Sequence, residues 1–345
     1  MRGIFVLILI LSMAIPVSAA ELSAPAAPSE ALELMPVETD NFAQGLLHVV
    51  KEAIRYLEPS LADASGFCGS LIAVSLLVSL LGAMPGASKT LVETAGTVCV
   101  GVLLLKPSNS MIHLGSQTVT TISEYGKLLL PVMATAVAAQ GGVTTSAALY
   151  TGTAVFDTLL SSAISDLLTP LIYIYLCLSV ANSAVGEDPL QQIRNLTKWI
   201  MTWGLKIILY IFTGYMGITG VISGTTDAAA LKATKLTLSG MVPVVGGILS
   251  DASEAVLVGA GVVKNGIGIY GTMAIIAIVI GPFLRIGVQY LLLKATAAVC
   301  AVFGTKKITA LAQDFASAMG ILLAMTGSCC LLFLIGIVCF MKGLG

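Results

Sequence analysis

The 345-residue chain is 57% hydrophobic and only 10% charged, with a formal net charge of −1 and a mean hydropathy of +0.99. A soluble domain carries about 25% charged residues because its surface faces water, so lipid must replace water around much of this chain. The lack of a basic tract excludes binding to nucleic acid through phosphate neutralisation, and continuous apolar runs of helix length exclude an outer-membrane barrel, whose strands alternate.

What remains is an all-α, polytopic transmembrane helical bundle of roughly six to eight spans. Residues 1–20 read as a secretory signal peptide. Arg2 supplies the positive end, Ile4 to Ile15 the apolar core, Pro16 the helix break, and Val17-Ser18-Ala19 the small residues at the cleavage position. An uncleaved anchor is the alternative. Residues 21–40, with Pro25, Pro28, Pro36 and several glutamates, read as a flexible extracytoplasmic linker. An amphipathic helix is expected over about Phe42 to Leu57, ended by Pro59. Leu46, Leu47, Val50, Ile54 and Leu57 recur at helical spacing, with Lys51, Glu52, Arg55 and Glu58 on the other faces. Such a helix lies on the membrane surface or docks on the bundle. Linker and amphipathic helix together occupy 21–65, and the transmembrane domain 66–345.

Spans are expected near Gly66–Met84, Thr90–Leu105, Leu128–Tyr150, Ile164–Ala184, Trp199–Val221, Gly266–Leu284, Gly287–Phe303 and Gly320–Met341, with Met241–Val263 as a further candidate that need not cross fully. Lysines and arginines are spread over both alternate sets of loops, and a cytoplasmic loop holding Arg194 and Lys198 is the strongest orientation signal. Gly214, Gly217, Gly220 and Gly224 line one side of a span, as helix-helix contact or, alternatively, as a pore lining. The seven cysteines all sit in apolar stretches without metal-ligand spacing, and are expected to act as small hydrophobes.

An internal repeat is expected. The spacing between Pro131 and Pro170 equals that between Pro243 and Pro282, and the chain around corresponding prolines reads alike, LLLPVMAT against SGMVPVVG and LLTPLIYI against VIGPFLRI. Gln140, Gly141 and Gly142 interrupt the first apolar run, while Asp251, Ser253 and Glu254 interrupt the second. An amphipathic stretch follows each unit, Ile193–Lys198 and Ile308–Phe315. The copies would occupy 115–222 and 227–340. Interrupted hydrophobic segments at corresponding places in two halves point to a substrate path in transporter-like folds.

Charge concentrates between residues 223 and 265, where Asp227, Lys232 and Lys235 precede Pro243, Gly246, Gly247, Asp251 and Glu254. Asp251 and Glu254 share one helix face, and an ionised carboxylate facing hydrocarbon is costly, so they must face protein or water. Three readings stay open: a solvated loop with a surface helix, a re-entrant hairpin lining an aqueous path, or a docking surface for partner proteins. Enzymatic motifs are missing. Gly86-Ala87-Ser88-Lys89-Thr90 lacks the P-loop glycine and GK pair, there is no HExxH or GxSxG, and His48 and His113 are far apart. No catalytic residue, metal or cofactor is expected.

The run YIFTGYMGITGVISGTTDAAALKATKLTLSGMVPVVGGILSDASEAVLVGAG (210–261) closely resembles the stage III sporulation protein AE family of endospore-forming bacteria, as do LTPLIYIYLCLSVAN (168–182) and IRNLTKWIMTWGLKIILYIFTG (193–214). The resemblance covers the chain after the linker. It implies a multi-pass protein of the mother-cell membrane around the forespore. It also implies partners, namely the other stage III A-operon proteins, one of which resembles a secretion ATPase, and stage II sporulation protein Q. Together these would form a channel or secretion-like complex. On that reading the chain is a permease-like subunit, with a non-conducting scaffold or an independent small-molecule transporter as alternatives.

Overall fold

The computed structural model describes residues 24–36, 42–85, 88–139, 143–186, 188–218, 266–303 and 305–343, and among them every regular element is helical. A one-turn helix α1 (Ser29–Leu32) precedes α2 (Phe42–Gly82), α3 (Lys89–Ala139) and α4 (Val143–Ser162). A π-helical turn at Ala163–Leu168 leads into α5 (Thr169–Val185), followed by α6 (Asp188–Ile218), α7 (Gly266–Val302) and α8 (Lys306–Gly343). Among the described residues six helical segments are long and apolar enough to cross a membrane: Ala64–Gly82, Lys89–Ala136, Ser146–Val185, Pro189–Met216, Ile267–Val302 and Lys306–Met341. The chain is a multi-pass membrane protein.

Helix α8 is the axis. It packs against α7, α3, α4, α5 and α6, while α2 closes the outside against α7 and α3. Its sequence explains the position, because ILLAMTGSCCLLFLIGIVCF is apolar all round and a helix of that kind belongs inside a bundle. Phe315, Phe333 and Phe340 are fully buried along it. The polar hydroxyls on this helix bond their own backbone, Thr326 to Leu322 O (3.2 Å) and Ser328 to Ala324 O (2.5 Å), so they bury without a partner helix.

Several helices run further than the sequence signals imply. The amphipathic segment from Phe42 does not end at Pro59 but continues to Gly82 as one helix. Thr90–Leu105 is the start of α3, which passes through Pro107 and Pro131. Gly266–Leu284 and Gly287–Phe303 are one helix passing through Pro282. A proline removes one backbone donor and bends the helix, but in a bundle that loss is smaller than the cost of exposing the backbone of a reversal to lipid. At 1.5 Å per residue α3 is about 77 Å long, more than twice a hydrocarbon core of about 30 Å, so part of it lies beyond the hydrocarbon.

Leu128–Tyr150, by contrast, is not one span. Helix α3 stops at Ala139, α4 starts at Val143, and the two run antiparallel, with Ser146 Oγ donating to Ala134 O (2.5 Å). The π-helical turn sits just before Pro170, and Thr169 Oγ1 donates to the Ile164 carbonyl there (2.9 Å), which occupies an acceptor in the turn where the proline cannot donate. Arg194 and Lys198 lie in the first turns of α6 rather than in a loop.

The reversals after α2, α5 and α7 meet at one end of the bundle. Lys307 Nζ donates to Thr94 Oγ1 (3.2 Å) on α3 and to Ala184 O (3.1 Å) in the last turn of α5. A cation favours the carbonyl end of a helix. Ser79 Oγ donates to Phe303 O (3.1 Å), and the Ser75 and Thr305 hydroxyls bond at 2.7 Å. Helix α5 ends at Gly186, whose φ of 81° is the left-handed cap and whose N–H reaches Asn182 O at 2.8 Å.

Candidate functional site

Residues 24–36, expected to be flexible, are docked as a strap. The APAAPSEALEL stretch is rich in small residues, and Ala27, Ala31 and Leu34 are buried against the bundle. Tyr270 of α7 accepts the Ala27 N–H on its hydroxyl (3.2 Å), and the Tyr125 hydroxyl of α3 donates to Pro25 O (3.4 Å).

Beneath the strap lies a cavity of about 440 Å³ between α2, α3 and α7. Pro282 lacks the N–H that would bond the Ile278 carbonyl, and Ile278, Gly281, Pro282 and Arg285 form one wall. Gln117, Thr118 and Thr121 of α3 form the facing wall, and Glu30 and Glu33 of the strap close the top. Thr118 and Thr121 donate to the backbone oxygens of Leu114 (2.7 Å) and Gln117 (3.0 Å), which leaves their oxygens free to accept. Irregular backbone is tolerated at membrane depth where it lines a water-filled cavity. The cavity therefore combines a guanidinium, two carboxylates, hydroxyl acceptors and an underbonded carbonyl.

A second polar cluster grips the axis. Arg194 Nη1 of α6 meets Asp314 Oδ2 of α8 at 2.6 Å, and the Tyr175 hydroxyl of α5 donates to Asp314 Oδ1 at 3.2 Å. Lys198 Nζ donates to Ser317 Oγ (3.2 Å), one turn further along both helices. The two amphipathic stretches, Ile193–Lys198 and Ile308–Phe315, are thus brought face to face. This arrangement binds helices to each other and leaves no open ligand position, so it reads as structural.

The residues singled out in the sequence fall elsewhere. Gln140, Gly141, Gly142, Asp227, Lys232, Lys235, Pro243, Gly246, Gly247, Asp251 and Glu254 all lie outside the described residues, as do Gly220, Gly224 and the candidate segment Met241–Val263. A Cβ added at Gly214 would meet nothing within 4 Å among the described residues, so that glycine serves no close contact with them. Gly126 and Gly152 do serve such contacts, since a Cβ there would run into the Phe333 and Tyr215 rings. Cys99 and Cys177 are exposed rather than buried. Among the described residues no group of three or more His, Cys, Asp or Glu side chains converges as a metal site. Gln117, Thr118, Thr121 and Arg285 were not legible as a site in sequence, because hydroxyls and a lone arginine on long helices carry no spacing signature. The one available signal was Pro282, noted for the repeat.

The sequence model of the family described as Stage III sporulation protein AE matches residues 33–343. Over 242 residues, 69% of this chain, the sequence is 23% identical to Stage III sporulation protein AE of Bacillus subtilis (strain 168). That alignment spans 61% of the relative's length, less than two thirds of it. No solved structure matches the chain.

Proposed function

The chain belongs to the stage III sporulation protein AE family, a family of sporulation proteins, and on that premise we propose that it is a permease-like, non-enzymatic subunit of a complex joining mother cell and forespore. The observation that carries this reading is the polar cavity beside Pro282. The centre of the bundle is filled by the apolar α8, so a path through one copy would run along the flank, where Gln117, Thr121 and Arg285 supply polar lining. The partners proposed are the other stage III A-operon proteins, including the secretion-type ATPase, and stage II sporulation protein Q. The membrane is that of the mother cell around the forespore.

Arg194 and Lys198 support one orientation. They lie toward the end where the reversals after α2, α5 and α7 meet, while other basic residues, Lys51, Arg55 and Lys127 among them, stand toward the opposite end. That end with Arg194 and Lys198 is proposed to face the cytoplasm, which puts the strap on the opposite, extracytoplasmic side. A signal peptide at 1–20 would deliver the chain in the same sense. The segments Gln140–Gly142 and Gly246–Glu254 are proposed to flank the path on that outer side, within an internal two-fold repeat.

Single cysteines at Gln117, Thr121, Ala277 and Gly281, in a chain lacking its native seven, test the reading. A membrane-impermeant thiol reagent should modify these positions and block forespore development when applied to sporulating cells. Modification without any developmental effect would favour the scaffold reading, for which the tight Arg194–Asp314 clamp is the supporting observation. Neutralising Asp251 and Glu254 together should impair spore formation with the protein still present, whereas normal spores would remove that pair from the proposal.

A further inference from the structure

Asp157 is a carboxylate within a membrane-spanning segment, and only 2% of its surface is exposed. It lies in the last two turns of α4, on the side packed against α3 and α8. The hydrogen bond it receives comes from a neutral donor, Ser123 Oγ on α3, at 2.8 Å. No cation among the described residues comes within ion-pairing distance of it, in contrast to Asp314, which Arg194 pairs at 2.6 Å.

Four residues earlier on the same face of α4, the Thr153 hydroxyl is fully buried and has no hydrogen-bond partner. Asp157 and Thr153 thus form a polar strip whose bonding capacity protein groups do not fill. A cavity of about 70 Å³ opens beside Asp157, lined by Lys127, Leu130, Tyr150, Ala154, Asp157 and Thr158, with Thr153 outside it. That volume admits water, which needs roughly 10–15 Å³ by the same measure. Lys127 is exposed and stands at the mouth.

The surroundings decide what could bind. Helix α3 offers Ser123 and Lys127, while Glu124, exposed three residues before Lys127, does not line the cavity. Helix α4 itself offers Tyr150, Thr153 and Thr158. Helix α8 brings the thiols of Cys329, which is buried, and Cys330, which is partly exposed. From α6, the Tyr215 hydroxyl is committed to Ala148 O at 3.0 Å. One carboxylate and a few hydroxyls fall short of the roughly six oxygen ligands that a hard cation takes. An ionised carboxylate with a single neutral donor is costly at membrane depth, and intramembrane carboxyls in such surroundings mark proton relays.

We propose that Asp157 is a proton-binding site. Water in the small cavity delivers a proton past Lys127 to a carboxylate oxygen of Asp157; an O–H bond forms and the charge on the side chain goes from −1 to zero. Release runs in reverse, with Ser123 holding the ionised form through its hydroxyl. The charge change falls at the contact between α4 and the central helix, so proton occupancy and the packing of α4 on α8 are linked. The proposal stands independently of the permease reading.

Dicyclohexylcarbodiimide forms a stable adduct only with a protonated carboxyl in an apolar setting, which makes it the probe. The full chain reconstituted in liposomes would be treated between about pH 5 and pH 9 and the peptide holding Asp157 analysed by mass spectrometry. The adduct should form at the acid end and its yield should fall by about tenfold per pH unit above its midpoint. Ser123→Ala should retain the adduct with a displaced midpoint, because only the ionised form loses its donor. No adduct on Asp157 at any pH, an adduct whose yield ignores pH, or an unmoved midpoint in Ser123→Ala would each overturn the assignment.

Discussion

Arg194 and Asp314 meet at 2.6 Å and join the first turns of α6 to the central helix, with neither side chain more than 14% exposed. Arg194 and Asp314 are 120 residues apart in sequence, and the pair holds together two segments of the chain that share the same amphipathic character. Removing one partner strands a largely buried charge.

Arg194→Met or Asp314→Leu alone should therefore lower stability by about 3 kcal/mol. Arg194→Lys should be milder, because Arg194 Nε has no partner and an ammonium can replace the single Nη1 contact. The apolar double variant Arg194→Met/Asp314→Leu should recover most of the loss. Thermal unfolding of the purified chain in detergent reads all four; additive losses in the double variant would show that the pair is not coupled.

Two glycines predict opposite outcomes. A Cβ at Gly126 would collide with the Phe333 ring where α3 crosses α8, whereas one at Gly214 meets open space among the described residues. Gly126→Ala should destabilise by about 1–3 kcal/mol through overpacking, and Phe333→Leu should partly relieve it. Gly214→Ala should be neutral or stabilise by up to about 1 kcal/mol, the helix-propensity gain. The same unfolding assay ranks them, and equal effects at both sites would contradict the close approach.

The docked strap carries its own protease sites, Glu30 and Glu33. Ala31 on its inner side is 1% exposed, so Ala31→Lys would bury an unpaired charge and should release the strap. A glutamate-specific protease should then cut the variant much faster than the parent chain under native conditions. Tyr270→Phe, which loses only the acceptor for the Ala27 N–H, should raise the rate less. Equal cutting of all three would mean that the strap is not held by these contacts.

Lys307 bonds α3 and the end of α5 at once. Lys307→Met should cost about 2 kcal/mol, the scale of lost charge-assisted hydrogen bonds. Amide exchange should rise at residues 180–185 while the far end of the bundle stays protected. Uniform exchange along α5 would show that the reversals do not depend on this lysine.

How much of the protein is legible in its sequence depends on the range of the interaction. Charge scarcity and apolar runs report the solvent, and they are enough to specify a helical membrane bundle. The recognisable run at 210–261 is enough for the family, although those residues beyond 218 lie outside the described ones. The spans were harder to place. Pro59, Pro107, Pro131 and Pro282 look like terminators locally, yet helices pass through each of them. A proline ends a helix only if the freed backbone has somewhere better to go, and neighbouring helices decide that. The repeat signal directed attention to Pro282 without revealing the cavity beside it, because the facing Gln117, Thr118 and Thr121 come from a helix more than 150 residues away in sequence.

The sequence by itself determined the solvent, the helical class and the family, since composition and short-range pattern are properties of the chain alone. The tertiary structure decided which polar groups are partnered. Asp157 and Asp314 are both carboxylates on apolar helices, and nothing local distinguishes them. One is met by a guanidinium from α6 and the other by a single hydroxyl beside a small cavity. The free energy of a buried charge is set by what remote segments bring to it, and that is fixed only when the helices pack.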